Sequence, residues 1–179
     1  MNNAPWHSSI AKKRKSNGTF IKKIPFAGEG FYFWEDNIEH AHHWGQQHYD
    51  NKYSIVEFEE LKVSSDLLLD FLNPNHRRYF KEMKAIWLKK EPKTANYAFG
   101  QWIEFFKRLD KKDNGIFPFK FIRAKEELGN VPLRYKVEKM AFSSSSSINI
   151  DLNPCVFLCI LDKTLIKYGN RKIIFNNHK

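Results

Sequence analysis

Gly28-Glu29-Gly30-Phe31-Tyr32-Phe33-Trp34-Glu35-Asp36 is the stretch on which the fold turns. Its two glycines, either side of one residue, permit a tight backbone turn. The aromatic run after them reads as a strand. Glu35-Asp36 then places acid where a helix N-terminus carries partial positive charge. Ile38, Ala41, Trp44 or Gly45, and Tyr49 share one helical face. Tyr53 to Glu59 alternates and reads as the next strand. A turn, a strand, a helix and a strand therefore follow in close order.

Before this stretch, residues 1–10 form a short extended lead containing Trp6-His7-Ser8-Ser9. Lys12-Lys13-Arg14-Lys15-Ser16-Asn17-Gly18 is a basic, turn-rich loop. It suits either a solvated surface loop or a loop that contacts phosphate beside a cleft. Thr19 to Ile24 reads as a short strand ended by Pro25.

After it, the character of the chain changes. Ser64-Ser65-Asp66 caps a short apolar helix, Leu67 to Leu72, which Asn73-Pro74-Asn75 stops. A second helix, His76 to Lys89, carries Phe80, Met83, Ile86 and Trp87 on one side. Pro92 breaks it. Thr94 is placed to cap a third helix, which runs to about Leu109 with Phe99, Trp102, Ile103, Phe106 and Leu109 on its apolar face. Residues 64–112 thus read as a helical insertion on a β-rich core. Strands return at Ile116 to Arg123, Leu133 to Phe142, Cys155 to Leu161 and Arg171 to Phe175, with Ser143 to Ser147 as a loop between strands.

The 179 residues suit a single domain of 1–179 with a core of its own. Hydrophobic residues make up 42% and aromatics 16%, which excludes global disorder. The 30 Lys and Arg exceed 20 Asp and Glu, giving a net charge of +10 that favours a polyanionic partner. Solubility or an acidic protein partner would also account for it. On a strand, Cys155 and Cys159 lie about 13 Å apart on one face, too far for a disulfide. Reduced core thiols and a cytoplasmic location follow as expectations. The polar start lacks the apolar core of a signal peptide, and no apolar run approaches the roughly 20 residues of a membrane span.

Trp6-His7-Ser8 followed by Gly28-x-Gly30-Phe31-Tyr32 before a helix resembles the NAD-binding half of the ADP-ribosyltransferase superfamily, in the branch that uses His, Tyr and Glu. The resemblance implies an α+β fold with a split β-sandwich core that holds NAD as substrate in a cleft. It gives His7 the adenosine ribose and Ser8, through its backbone, the nicotinamide amide. Tyr32 stacks on nicotinamide, beside Gly30 and Phe31. A late-strand carboxylate should hold the nicotinamide ribose and stabilise its developing positive charge. There the chain departs from the pattern, because Phe157 stands at the expected position. Asp151, just before that strand, is the candidate carboxylate, with Glu126 and Glu127 as alternatives.

The resemblance further implies a toxin-like effector, from a toxin–antitoxin or phage-defence system, with an antitoxin as possible partner. The positive charge directs the transfer towards RNA or DNA. A protein target is the alternative, as is a catalytically silent binding module on the same fold. Lys12, Lys13, Arg14, Arg77 and Arg78 are the candidate nucleic-acid contacts. Arg77 to Lys81 and Trp102 to Lys112 interleave cations with aromatics, which suits single-stranded nucleic acid and equally suits an ordinary amphipathic helix. His40, His42, His43 and His48 cluster on one helix without completing a metal-ligand set, so no metal is expected. Gly28-x-Gly30 lacks the third glycine of a dinucleotide fingerprint.

Overall fold

The computed structural model describes residues 6–10, 27–49, 51–59, 61–113, 115–125, 139–141, 149–152, 154–166 and 171–177; of 6–10, 139, 149–151 and 163 it describes the backbone alone. Strands β1 (Trp6–Ile10), β2 (Phe31–Glu35) and β3 (Ser54–Phe58) surround helix α1 (Ile38–Tyr49) in sequence. Next come β4 (Leu68–Asp70), α2 (Pro74–Lys90), α3 (Phe99–Asp110) and β5 (Phe121–Lys125). The remaining strands are β6 (Lys139–Ala141), β7 (Asn149–Asp151), β8 (Val156–Ile160) and β9 (Arg171–Asn176).

Seven strands join one mixed sheet in the order β4-β5-β8-β2-β1-β3-β9, while β6 and β7 pair with each other in a two-stranded sheet. All neighbours in the large sheet are antiparallel except β4 and β5. The α+β class holds. Of the nine described strands, seven form one continuous sheet and two a separate pair.

That sheet has two apolar faces because its central strands alternate between two sets of large side chains. Tyr32, Trp34, Ile55, Leu69, Ile122, Phe157 and Cys159 form one cluster with Ala41 of α1, Phe80 of α2, and Trp102, Ile103 and Phe106 of α3. Phe33, Val56, Phe58, Phe121, Leu158 and Ile160 form the other, beneath Leu61, Val63, Leu165 and Ile166. β8 is buried along its whole length, which explains why its sequence is an unbroken apolar run.

Five sequence expectations change. The helix expected over Leu67 to Leu72 is instead a 3-10 turn, Ser65–Leu67, leading into β4. Leu68 packs into one apolar cluster and Leu69 into the other, so the run is a strand buried on both faces. The supposed insertion therefore supplies an edge strand of the sheet. Asn73 begins α2 rather than stopping a helix: its side chain accepts from Asn75 N at 2.9 Å, and Pro74 follows at the first turn.

Thr94 does not cap α3. It is buried and donates to Glu91 O at 2.7 Å within a 3-10 turn. α3 starts at Phe99, where the Gln101 side chain accepts from Ala98 N at 2.8 Å. Glu35 and Asp36 do not open α1 either. Glu35 ends β2, Asp36 takes a φ of 47°, and Asn37 Oδ1 accepts from His40 N at 3.2 Å. Finally, the strand expected from Ile116 begins at Phe121, because Asp110 Oδ1 accepts from both Gly115 N and Phe117 N and holds that segment as a turn.

Candidate functional site

The glycine turn and β2 bring Tyr32 to the middle of the helix-covered face. Tyr32 is 8% exposed. Its hydroxyl donates to Gly28 O at 2.8 Å and accepts from Ala27 N at 3.0 Å. The turn therefore closes on the side chain of its own strand. Burial first, then the neighbouring Cys159, pushes the Tyr32 phenol above its ordinary value. Burial likewise pushes the Cys159 thiol up to about 12. Both groups are neutral hydrogen-bonding partners at physiological pH.

Gly30 is fixed by close packing. A Cβ there would lie 2.5 Å from Cys159 Sγ and 2.6 Å from the Ile160 carbonyl oxygen. Only glycine lets this backbone approach β8. Phe31 next to it packs against the opposite apolar cluster.

The turn is held from the other side by α3. Glu104 Oε1 accepts from Glu29 N at 2.7 Å and pairs with Lys107 at 2.7 Å, and Lys107 Nζ also reaches Glu29 O at 3.4 Å. Sequence reasoning missed Glu104. It lies 75 residues from Glu29, on the flank of a helix whose apolar stripe draws attention, and only tertiary packing joins the two.

Tyr32 also begins a stacked column. Trp44 of α1 lies over it with centroids 5.3 Å apart and planes 23° apart. His48 stacks on Trp44 in turn, at 3.8 Å and 16°. The column passes from buried Tyr32 through half-buried Trp44 to exposed His48. As placed, the rings leave no gap for a nicotinamide on this side of Tyr32. A flat ligand would have to part Tyr32 and Trp44 by about 3.5 Å, one aromatic thickness. Tyr32 is tied at its hydroxyl, so the movement would fall to Trp44.

The remaining candidates are spread out. His7 lies on β1, next to the Tyr32 strand and paired with Trp34 and Glu57. Ser8 pairs with Val56. Phe157 lies on β8, 2% exposed, with its ring 6.0 Å from that of Tyr32. It is a core residue there. Asp151, expected to lead into β8, instead belongs to β7 and pairs with Lys139 in the small sheet. Lys12, Lys13, Arg14, Glu126 and Glu127 lie outside the described residues.

Arg77 and Arg78 are exposed on α2, where the Arg77 guanidinium donates to Phe71 O at 2.9 Å and Leu72 O at 3.4 Å. The α2 aromatics Tyr79, Phe80 and Trp87 pack inward. They offer no outward stacking platform. Ile86, placed with them by its sequence, is 49% exposed because it lies about 100° round the helix from Trp87.

A second polar cluster lies on the sheet's other face. Arg123 of β5 reaches across β8 to Glu35, with Nη2 and Nε at 2.7 and 3.0 Å from one carboxylate oxygen, and extends Nη1 to Asp70 at 3.3 Å. Burial alone would lower the guanidinium, but the two carboxylates outweigh it and raise it. The cluster ties β2, β5 and β4 at one end of the sheet.

Among the described residues, no group of three His, Cys, Asp or Glu side chains is arranged to hold a metal, and no helix is long and apolar enough to cross a membrane. His42 instead meets the Tyr53 hydroxyl at 2.9 Å. Cys155 and Cys159 are both buried free thiols. No protein-family model matches the chain, and neither a curated protein nor a solved structure shows significant similarity to it.

Proposed function

We propose that the chain is an NAD-dependent ADP-ribosyltransferase that modifies a nucleic acid, with its nicotinamide slot at the Tyr32–Trp44 stack. The observation that carries this reading is the stacked pair itself, Tyr32 on the strand that adjoins the one bearing His7 and Trp44 on α1. Two aromatic faces already parallel to each other exchange one stacking partner for another when a flat ring enters. Tyr32 is the fixed wall and Trp44 the moving one. His7 and Ser8 bind the ribose and amide ends of NAD, Gly30 and Phe31 keep the turn against β8, and Asp151 is the carboxylate for the nicotinamide ribose.

In the reaction, the bond between the ribose anomeric carbon and the nicotinamide nitrogen breaks. Nicotinamide leaves with the bonding pair, and the positive charge passes to the ribose. A nucleobase nitrogen attacks the same carbon and loses its proton to water. This chain's residues position the rings, shield the cation from water and stabilise its charge. A toxin-like role with an antitoxin partner belongs to the same reading.

Incubation with labelled NAD and either DNA, RNA or cell lysate tests it. The nucleic-acid pool should be labelled and nicotinamide released. Trp44→Ala, at a half-buried position, should cut labelling about tenfold, the equivalent of one lost aromatic stack. If no pool is labelled and NAD is not consumed, the reading fails. Labelling confined to protein would move the acceptor. One observation favours a second reading, that of a silent binding module: Phe157 is a buried core ring at the position where the resemblance calls for a carboxylate.

A further inference from the structure

α2 holds six Lys or Arg and one Glu in 17 residues, and Phe80 is the sole residue it fully buries. Its inner side is set by Tyr79, Met83 and Trp87, which pack against the core. The outer side carries Arg78, Lys81, Glu82, Ala85 and Lys89, all exposed. Spacings of three and four residues put these on one face. The other cations of the helix are partly committed. Arg77 binds the carbonyls of Phe71 and Leu72, Lys84 lies 5.8 Å from the Trp102 ring centre, and Lys90 lies 4.7 Å from that of Trp87. Arg78, Lys81 and Lys89 make no ion pair with any described residue.

We propose that the outward face of α2, presenting Arg78, Lys81 and Lys89, docks double-stranded DNA through its phosphates. The three cations span about 16 Å of helix, a length over which a DNA duplex presents about ten phosphate charges. The face is convex and has no aromatic side chain, so it lacks the stacking surface that holds single strands. A straight helix enters the B-form major groove, about 12 Å wide, but not the deep, narrow major groove of an RNA duplex. The docking rests on the transferase reading for its purpose, but binding needs no NAD.

The full chain is titrated against a fluorescein-labelled, mixed-sequence DNA duplex of about two helical turns, with fluorescence anisotropy read at several salt concentrations. The logarithm of affinity should fall against that of salt with a slope of about −3 or steeper. Arg78→Glu, Lys81→Glu and Lys89→Glu together should weaken binding at least about tenfold and flatten the slope by about three. A control with Lys52→Glu, Lys62→Glu and Lys172→Glu, all exposed, removes the same charge elsewhere and should stay within about twofold of the parent.

Equal weakening in both variants would reduce the effect to net charge and overturn the proposal. So would tighter binding to a single strand or an RNA duplex of equal length, or no binding at all. Docking that persists without NAD consumption sinks the transferase reading alone. NAD-dependent labelling that persists without duplex docking sinks this proposal alone.

Discussion

α3 and α2 come from one stretch of chain, yet α3 buries Gly100, Trp102, Ile103 and Phe106 while α2 buries only Phe80. The difference lies in composition and in order: α2 carries six Lys or Arg in 17 residues and α3 two in 12. α3 places Phe99, Trp102, Ile103, Phe106 and Leu109 on one stripe, wide enough to seat the helix on the sheet. α2 has a narrower stripe, and Arg78, Lys81 and Lys89 stand in water. One helix belongs to the core and the other to the surface, so substitutions on them should differ by several kcal/mol.

Trp102→Ala attacks the core side of this contrast most directly. It empties the space between Phe106, Phe105 and Tyr97 and should destabilise the fold by about 3–5 kcal/mol in urea denaturation. A loss below about 1 kcal/mol would break the distinction between the helices. Gly30→Ala probes the turn that α3 braces. The added methyl meets the Ile160 carbonyl, and a cost of about 1–3 kcal/mol is expected by the same measurement.

Alkaline pH gives a smaller effect. The Cys159 thiol stands at about 12 in the fold against an ordinary 9.0. Between those values the unfolded chain binds fewer protons, so stability falls as pH rises. The contribution is intact below pH 9 and should decline by about 1 kcal/mol between pH 9 and 10. Denaturation curves for Cys159→Ala should lack that component; an unchanged pH slope would mean that the thiol ionises freely. Lys81→Ala on the outer face of α2 should change stability by less than about 0.5 kcal/mol, and a larger loss would mean that this face is packed.

The glycine turn, β2, α1, α3 and β8 were readable in the sequence because each has a period or a long apolar run that one structure alone satisfies. β4 was not. Leu67 to Leu72 is short and apolar apart from Asp70, and periodicity cannot separate a buried strand from a buried helix over such a length. The site was legible in part. The register of β1 and β2 puts His7 and Tyr32 on neighbouring strands. The covering of Tyr32 by Trp44 and the pairing of Asp151 with Lys139 each join residues 12 apart, and the bracing of the turn by Glu104 spans 75; all three depend on tertiary packing. No local pattern carries that information.

The place of β8 in the sheet has a temporal consequence. Residues 156–160 sit between β5 and β2, so Tyr32 meets its partner Cys159 only across 127 residues of chain. As the polypeptide leaves the ribosome, β2 and β3 can both pair with β1, but β2 keeps an open edge until β8 has been made. Contacts so distant in sequence slow folding, and an aromatic edge left waiting invites the wrong neighbour. The step that completes the Tyr32 environment therefore waits for residues 156–160 to emerge.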